Sequence, residues 1–399
     1  MKKITDYAVR GFRAGAVEAA IKKPGRLDLS LIYSETPATP AAVFTKNSVK
    51  AAPVLLDMEV AKGRFVRAIV ANSGNANACN GARGMKDALK TAHLMGDALG
   101  VNTSDVFVAS TGVIGAQLPM DRIADGIKLL PAALREDGLF DAARGIMTTD
   151  TFPKIYGVSE RIGGKEIRIA GIAKGSGMIN PNMATMLSFI VTDAAVEKRA
   201  LQAALKAGVD DSFNCVTVDG DTSTNDTVII LANGVAGNRA ITRNSAEYGK
   251  FKDALAAVLL ALAKMVAKDG EGATKLVEVM VEGAASSAEA KLAAKAVSNS
   301  PLVKTALFAE DANWGRIACA AGYSGAEMDA DNLEIWFDKV CMVRGGVGLG
   351  QKAEAKASEV LKKKEYKITI KLGAGDASAR VFTTDLSYEY VKINAGYRS

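Results

Sequence analysis

The chain has 399 residues, 49% hydrophobic and 24% charged, an ordinary globular balance that suits one large α/β body or two intimate domains. Its net charge of +6 is spread over many Lys and Arg without an aromatic-rich basic stripe, so it reads as a solvated surface and no nucleic-acid partner is expected. A single histidine excludes multi-histidine zinc sites, and any acyl chemistry must find its base elsewhere. No run of about 18 apolar residues is present, so no membrane span is expected. Met1–Asp6 carries positive charge with no apolar segment behind it, which argues against a secretory signal. Cys79, Cys215, Cys319 and Cys341 are far apart and lack metal-ligand spacing. They read as buried or half-buried thiols of a reducing compartment, and a cytoplasmic location is expected.

In chain order, Phe65–Ala71 is predicted to be a buried strand ending in a polar turn, Asn72–Asn77. Met85–Leu99 is predicted to be a helix, with Ala88, Ala92, Leu94, Met95 and Leu99 as its apolar stripe and His93 in a structural role. Asp105–Ala109 is a short strand running into Ser110–Gly115. Helices are predicted over Pro119–Leu130 and Pro131–Leu139, followed by a threonine-rich loop, Met147–Pro153. Ile167–Ala173 and Met186–Thr192 are strands, Lys198–Ala207 a helix, and Phe213–Val218 and Thr227–Ala232 further strands. A long helix is expected over about Ser245–Lys268, then a strand at Val277–Val281 and a helix at Ser287–Ser298. Strands at Leu333–Met342 and Tyr366–Leu372 flank a helix at Ala353–Lys363, and the tail Val381–Ile393 alternates as a strand would. Strands and helices are mixed without strict βαβ alternation, so the expected class is mixed α/β (α+β).

Several glycine-rich or acidic segments invite a chemical reading. Gly345–Gly350 misses the G-x-G-x-x-G spacing and reads as a turn. Asp219–Asp226 has the acidic spacing of a calcium loop, but Thr224 stands where glycine is needed and Ile230 where glutamate is needed. Its residues read as turn formers or as support for a nearby active site, and no metal is expected. Lys174-Gly175-Ser176-Gly177 follows a strand and offers a fixed positive charge for a substrate carboxylate, or is a plain glycine turn. At Ser110-Thr111-Gly112, a hydroxyl and a glycine N–H can point together at an oxyanion, or the chain simply leaves a strand. Asp269-Gly270-Glu271-Gly272 is either a glycine cap with a solvated glutamate or a partner for a substrate ammonium.

The stretch Asn180–Phe189 carries the most chemistry. Thr185 follows a small residue, Ala184, at the end of a loop and opens a hydrophobic run. A chain cut before Thr185 would give that one residue both a nucleophilic hydroxyl and an amine to activate it, which suits a sequence poor in other bases.

Lys174–Ser188, read as KGSGMINPNMATMLS, resembles the signature of the ornithine acetyltransferase (glutamate N-acetyltransferase) family of arginine biosynthesis. Asn72–Cys79, Ser110–Gly115, Met147–Pro153, Val218–Thr227, Asp269–Lys275 and Asn394–Ser399 resemble family segments in order, so the resemblance covers essentially the whole chain. It implies an α/β fold shared with self-processing aminopeptidases, with an N-terminal threonine nucleophile. It implies self-cleavage between Ala184 and Thr185 into an α chain, residues 1–184, and a β chain, residues 185–399. The β chain would include a C-terminal α/β subdomain from about 285, and the chains would assemble as α2β2. Thr185 would be the nucleophile, and Thr111 and Gly112 the oxyanion hole. Lys174, Glu271, Asn394 and Ser399 would bind the amino-acid substrate together with Thr185 and a threonine of the Thr148–Thr151 loop. Thr151 is preferred there from its distance to Lys174, with Thr148 the alternative. The implied reaction moves acetyl from N-acetylornithine to glutamate without a cofactor. Some members of the family also take acetyl-CoA as a co-substrate, and no CoA-type phosphate loop is identifiable here. Two rival readings are a self-processed aminopeptidase or amidase that passes its acyl group to water, and a non-enzymatic protein with Thr185 merely buried at a strand start.

Overall fold

Runs of Val, Ile, Leu and Phe long enough to be buried on both faces form the central strands. In the computed structural model, which describes residues 1–180 and 186–396, the chain divides into two units: Met1–Asn214 with Asp221–Val266, and Cys215–Gly220 with Ala267 onward.

The first unit contains strands β1 (Lys2–Lys3), β2 (Phe12–Val17), β3 (Leu29–Phe44), β4 (Val66–Asn75), β5 (Val106–Val113), β6 (Lys154–Ile162), β7 (Lys165–Lys174), β8 (Leu187–Thr192) and β9 (Thr227–Ala232). They form one sheet in the order β1-β6-β7-β8-β9-β3-β4-β5, with β2 also paired to β3. Its helices are α1 (Ala52–Val60), α2 (Gly81–Leu99), α3 (Met120–Ala133), α4 (Leu139–Gly145), α5 (Lys198–Asp210) and α6 (Tyr248–Lys268), the last running two residues past the unit boundary.

β3 shapes this sheet. It pairs with β4 over Leu29–Tyr33 and with β9 over Thr39–Phe44, so one 16-residue strand links the two halves. The exposed stretch Glu35–Pro37 breaks the pairing between them. Successive residues of β3, β4 and β5 face opposite ways. Leu31, Val70 and Val108 join Met95 of α2 and Ile127 and Leu130 of α3. Ile32, Ile69 and Phe107 join Ile172, Phe189 and Ile229 from β7, β8 and β9. The β4–β5 and β8–β9 pairs are parallel, and their carboxyl ends leave the sheet as loops.

The second unit has strands β10 (Leu276–Ala284), β11 (Glu334–Phe337), β12 (Val340–Arg344), β13 (Val347–Gly348), β14 (Glu365–Lys371) and β15 (Ala377–Thr384), in the order β13-β12-β11-β14-β10-β15. Helices α7 (Ser287–Asn299), α8 (Pro301–Phe308), α9 (Trp314–Gly322), α10 (Gln351–Leu361) and α11 (Tyr388–Ala395) accompany it. Its core gathers Val277, Val279, Ile335, Phe337, Ile368 and Ile370 against Ala293, Val297 and Ile317. Ser286 caps α7 by accepting from the Glu289 N–H, a Ser-x-x-Glu start that the sequence carries openly.

The mixed α/β class is as expected, while several element readings are corrected. Asn72–Asn75 is the end of β4, not a turn, because side-chain amides tie it to β5 as described below. Ser110–Val113 likewise belongs to β5. Pro131 lies in the last turn of α3, and the next helix begins at Leu139. Phe213–Cys215 is a single tight turn in place of a strand. Leu333–Met342 is a hairpin turning at Asp338, whose φ is 49°. The tail strand stops at Thr384 because Asp385 turns inward to accept the N–H groups of Thr274 and Lys275, and Tyr388–Ala395 is a helix. Cys79 and Cys319 are exposed, against the expectation of buried or half-buried thiols, while Cys215 is buried and Cys341 half-buried; none of the four is in a disulfide. No helix among the described residues is long and apolar enough to cross a membrane.

Candidate functional site

Small polar side chains at the ends of β4 and β5 build a rigid lip. The Ser110 hydroxyl donates to Asn72 Oδ1 at 2.6 Å, and Asn72 Nδ2 donates to the Asn75 carbonyl at 2.9 Å. The parallel register pairs Ser73 with Thr111 and Gly74 with Gly112, then slips so that Asn75 opposes both Thr111 and Val113. Gly112 has φ +136°, and a Cβ there would stand 2.3 Å from the Gly74 carbonyl carbon and 2.5 Å from the Asn75 nitrogen. Only glycine fits this close backbone approach. Asn225 closes the lip from another segment, donating to the carbonyls of Ala76 at 2.6 Å and Ser110 at 2.8 Å.

Beside this lip, β7 ends at Lys174, which is 8% exposed and donates to Thr111 Oγ1 at 3.2 Å. Asp150 organises the ground behind it. Its carboxylate accepts from Lys154 Nζ at 2.6 Å, the Gly175 N–H at 2.7 Å and the Thr148 N–H at 2.9 Å. Burial pushes this carboxyl up, but the charges of Lys174 and Lys154 and the bonds from Lys154 and Thr148 outweigh it and hold it well below the usual carboxylate range. Arg26 fastens the threonine loop from outside by donating to the carbonyls of Met147 and Thr148. Thr149 and Ser176 share a 2.6 Å hydroxyl bond.

Asp150→Ala is expected to destabilise the fold by about 3–5 kcal/mol at neutral pH, because it removes the carboxylate paired with the fully buried Lys154 ammonium. Its contribution is present above the unfolded-state carboxyl pKa and is lost as pH falls through the lowered folded value. The gap between the denaturation midpoints of wild type and variant should therefore begin to narrow only below about pH 4 and close only as the pH falls through that lowered folded value.

Asp226 stands just before β9 and is 1% exposed. Burial pushes its carboxyl well above the usual range, against hydrogen bonds from the Met186 N–H, Ser223 and Thr45 and the charge of Lys174.

In the second unit, the loop between α6 and β10 carries Glu271, buried at 8% exposure, so the solvated-glutamate reading does not hold. Asn394 of α11 donates to Glu271 Oε2 at 2.8 Å and to the Tyr390 carbonyl at 3.0 Å. Gly272 makes this contact possible: its φ is +66°, and a Cβ would lie 2.5 Å from the Tyr390 nitrogen.

Thr111, Gly112, Lys174 and the Thr148 loop are thus gathered in the first unit, and Glu271 with Asn394 in the second. Thr148 is half-buried and its backbone is bound into the Asp150 network, while Thr151 is exposed. Ala184, Thr185 and Ser399 lie outside the described residues. His93 is an exposed residue of α2, 3.5 Å from Asp97. Among the described residues no cluster of His, Cys, Asp and Glu could hold a metal ion. Sequence reading missed Asp150, Arg26 and Asn72, because nothing local marks them, and it had Asn225 only within the Asp219–Asp226 loop read as turn formers or support for a nearby site. Asp226 was legible only as part of an acidic loop near a site.

A profile of the ArgJ family matches residues 13–399. The arginine biosynthesis bifunctional protein ArgJ of Geobacter sulfurreducens is 58% identical over 391 residues, 98% of this chain and 100% of that protein. Its namesake in Symbiobacterium thermophilum is 52% identical over 98% of each chain. The solved structure of the Bacillus halodurans protein of the same name is 45% identical with a TM-score of 0.52, and covers 53% of this chain and 100% of its own. With a matching profile over nearly its full length and relatives above half identity, this chain belongs to the ArgJ family.

Proposed function

We propose that the chain transfers acetyl from N2-acetyl-L-ornithine to L-glutamate in arginine biosynthesis, through an acetyl ester on Thr185. The observation that carries this reading is Lys174 Nζ at 3.2 Å from Thr111 Oγ1, which sets a cation for a substrate carboxylate beside the Thr111–Gly112 lip, in a chain of this family.

Self-cleavage comes first. Thr185 Oγ attacks the Ala184 carbonyl, the peptide becomes an ester, and water releases residues 1–184 from residues 185–399. The solved Bacillus halodurans chain supports this: aligned in full, it covers 53% of this chain, close to the 399 − 184 = 215 residues of a chain starting at Thr185. The freed amine, with a pKa of about 8, takes the Thr185 hydroxyl proton near neutral pH. Oγ adds to the acetyl carbonyl, and Thr111 and Gly112 hold the developing oxyanion, each donor supporting about 3–4 kcal/mol. The tetrahedral adduct collapses, and the ammonium returns its proton to the departing ornithine amine. Glutamate then enters, its amine attacks the ester, and N-acetylglutamate leaves in a ping-pong exchange. The two amino acids share an α-carboxylate and differ in side-chain charge, so the Lys174 group serves the common end and Glu271 with Asn394 the amino end, joined by Ser399 and a threonine of the Thr148–Thr151 loop.

No cofactor enters this cycle. The word bifunctional in the relatives' names supports a second activity, which we assign to acetyl-CoA as an alternative acetyl donor to glutamate. Four cysteines outside any disulfide support a reducing, cytoplasmic setting, and the two chains would pair as α2β2.

The test incubates purified protein with N-acetylornithine and glutamate. Formation of N-acetylglutamate well above acetate release, together with a mass for a fragment beginning at Thr185, is the expected result. Acetate as the main product would replace the transferase with a hydrolase.

A further inference from the structure

Thr111 and Gly112 sit between two anchored residues, and a single amide side chain serves both anchors. Asn225 Nδ2 donates to the Ser110 carbonyl at 2.8 Å and to the Ala76 carbonyl at 2.6 Å. The Ala76 N–H in turn donates to the Val113 carbonyl at 3.0 Å. Ser110 stands immediately before the pair and Val113 immediately after it. These three bonds close a ring of contacts around a stretch of two residues. The Ser110 carbonyl also shares one planar peptide unit with the Thr111 nitrogen, so a bond on that oxygen sets the plane from which Thr111 extends.

Both ends of the Asn225 side chain are engaged. Its two N–H groups meet the two carbonyls, and its Oδ1 accepts the Thr224 hydroxyl at 2.6 Å. An amide turned over would aim its oxygen at two carbonyl oxygens, so Thr224 and the lip demand the same orientation. The backbone of Asn225 is fixed as well. Its N–H donates to Ser223 Oγ at 3.1 Å, and its carbonyl accepts from Thr227 Oγ1 at 2.9 Å, where β9 begins. Asn225 and Thr224 are each 7% exposed, so little water competes for these bonds. The result is a rigid connector from the start of β9 to the ends of β4 and β5.

We propose that Asn225 is a positioning residue for acetyl transfer: its amide, oriented by Thr224, holds the Ser110 and Ala76 carbonyls so that Thr111 and Gly112 keep the geometry of an oxyanion lip. It acts through those two residues and not on the substrate. This role rests on the transferase reading given above.

The test compares wild type with Asn225→Asp, Thr224→Val and Thr192→Val. Asp has the shape of Asn but presents only acceptors to the two carbonyl oxygens. In matured Asn225→Asp enzyme, kcat for acetyl exchange is expected to fall about 10- to 100-fold while KM for both amino acids stays within about threefold, the pattern of a group that acts only in the transition state. Thr224→Val leaves the amide but removes the donor that orients it, and should lose about 3- to 10-fold in kcat. Thr192→Val is the control for the fold. Its buried hydroxyl donates to the Arg168 carbonyl at 2.8 Å, at the opposite end of β8 from Leu187, the partner of Lys174. It should lower the melting temperature and leave kcat within about twofold. A wild-type kcat in Asn225→Asp overturns the proposal, as does a kcat loss that comes with a parallel rise in KM or is matched by Thr192→Val. Should Asn225→Asp fail to fold or to mature, Thr224→Val decides: a lowered kcat at unchanged KM supports the role, and a wild-type kcat overturns it. Wild type that forms no N-acetylglutamate would instead sink the transferase reading, whatever the variants do.

Discussion

Thr185→Ala protein is expected to remain a single chain of 41.6 kDa and to transfer no measurable acetyl. The substitution removes the hydroxyl needed twice, first against the Ala184 carbonyl and then against the acetyl carbonyl. Deleting a nucleophile from a working constellation costs about 10⁴-fold or more in kcat, because the remaining groups have nothing to activate. The fold should be indifferent, since a hydroxyl and a methyl are small beside the cores on either side of the sheet. Thr185→Ser keeps both the hydroxyl and the amine and is expected to cut itself and retain activity. Intact mass of each variant after prolonged incubation, with an exchange assay on the same sample, reads both steps. An active Thr185→Ala enzyme would require a different nucleophile.

Gly112→Ala is expected to strike both stability and rate. Its φ of +136° is strained for any residue with a Cβ, at a cost of about 1–3 kcal/mol. The added carbon would also stand 2.3 Å from the Gly74 carbonyl carbon, so β4 and β5 must part where Ser110 and Asn72 hold them together. Moving that lip displaces the proposed oxyanion donors, worth about 10²- to 10³-fold in kcat for a lost donor. Gly115→Ala is the natural control. It has φ +82° and open space around the added carbon, three residues further along the chain, just past the end of β5. It should cost stability through backbone strain and leave kcat within about threefold. Equal kcat losses in the two variants would mean that the lip, as opposed to general loop strain, has no special part in the reaction.

The fate of individual elements shows where sequence reading reaches its limit. The apolar runs Phe189–Val191 and Val228–Leu231 read as strands, and the structure has them at 0–1% exposure in the middle of the sheet. The long helix ending at Lys268 was legible from its length and composition. Asn72–Asn75 reads as a turn because each residue alone favours one. It is a strand because the Asn72 and Ser110 side chains bond each other across a parallel pair 38 residues apart in sequence. The tail alternates like a strand as far as Ile393, but Asp385 finds two backbone donors at Thr274 and Lys275, and the chain turns there into a helix.

The sequence by itself determined the order of the segments, their mixed α/β character, the family and the identities of Thr111, Gly112, Lys174, Thr185, Glu271 and Asn394 as candidates. The segment order and class follow from local pattern, such as apolar period and glycine placement, while the family and the site candidates follow from the resemblance carried by segments such as Lys174–Ser188. Tertiary structure alone decided that Asp150 stands between two lysines and that Asn225 ties Ala76 to Ser110. Each of these depends on a carboxyl or amide meeting a group tens of residues away or in another element, where burial removes competing water and gives a single hydrogen bond directional force. No period or spacing along the chain encodes that meeting; it exists only once the strands have been laid side by side.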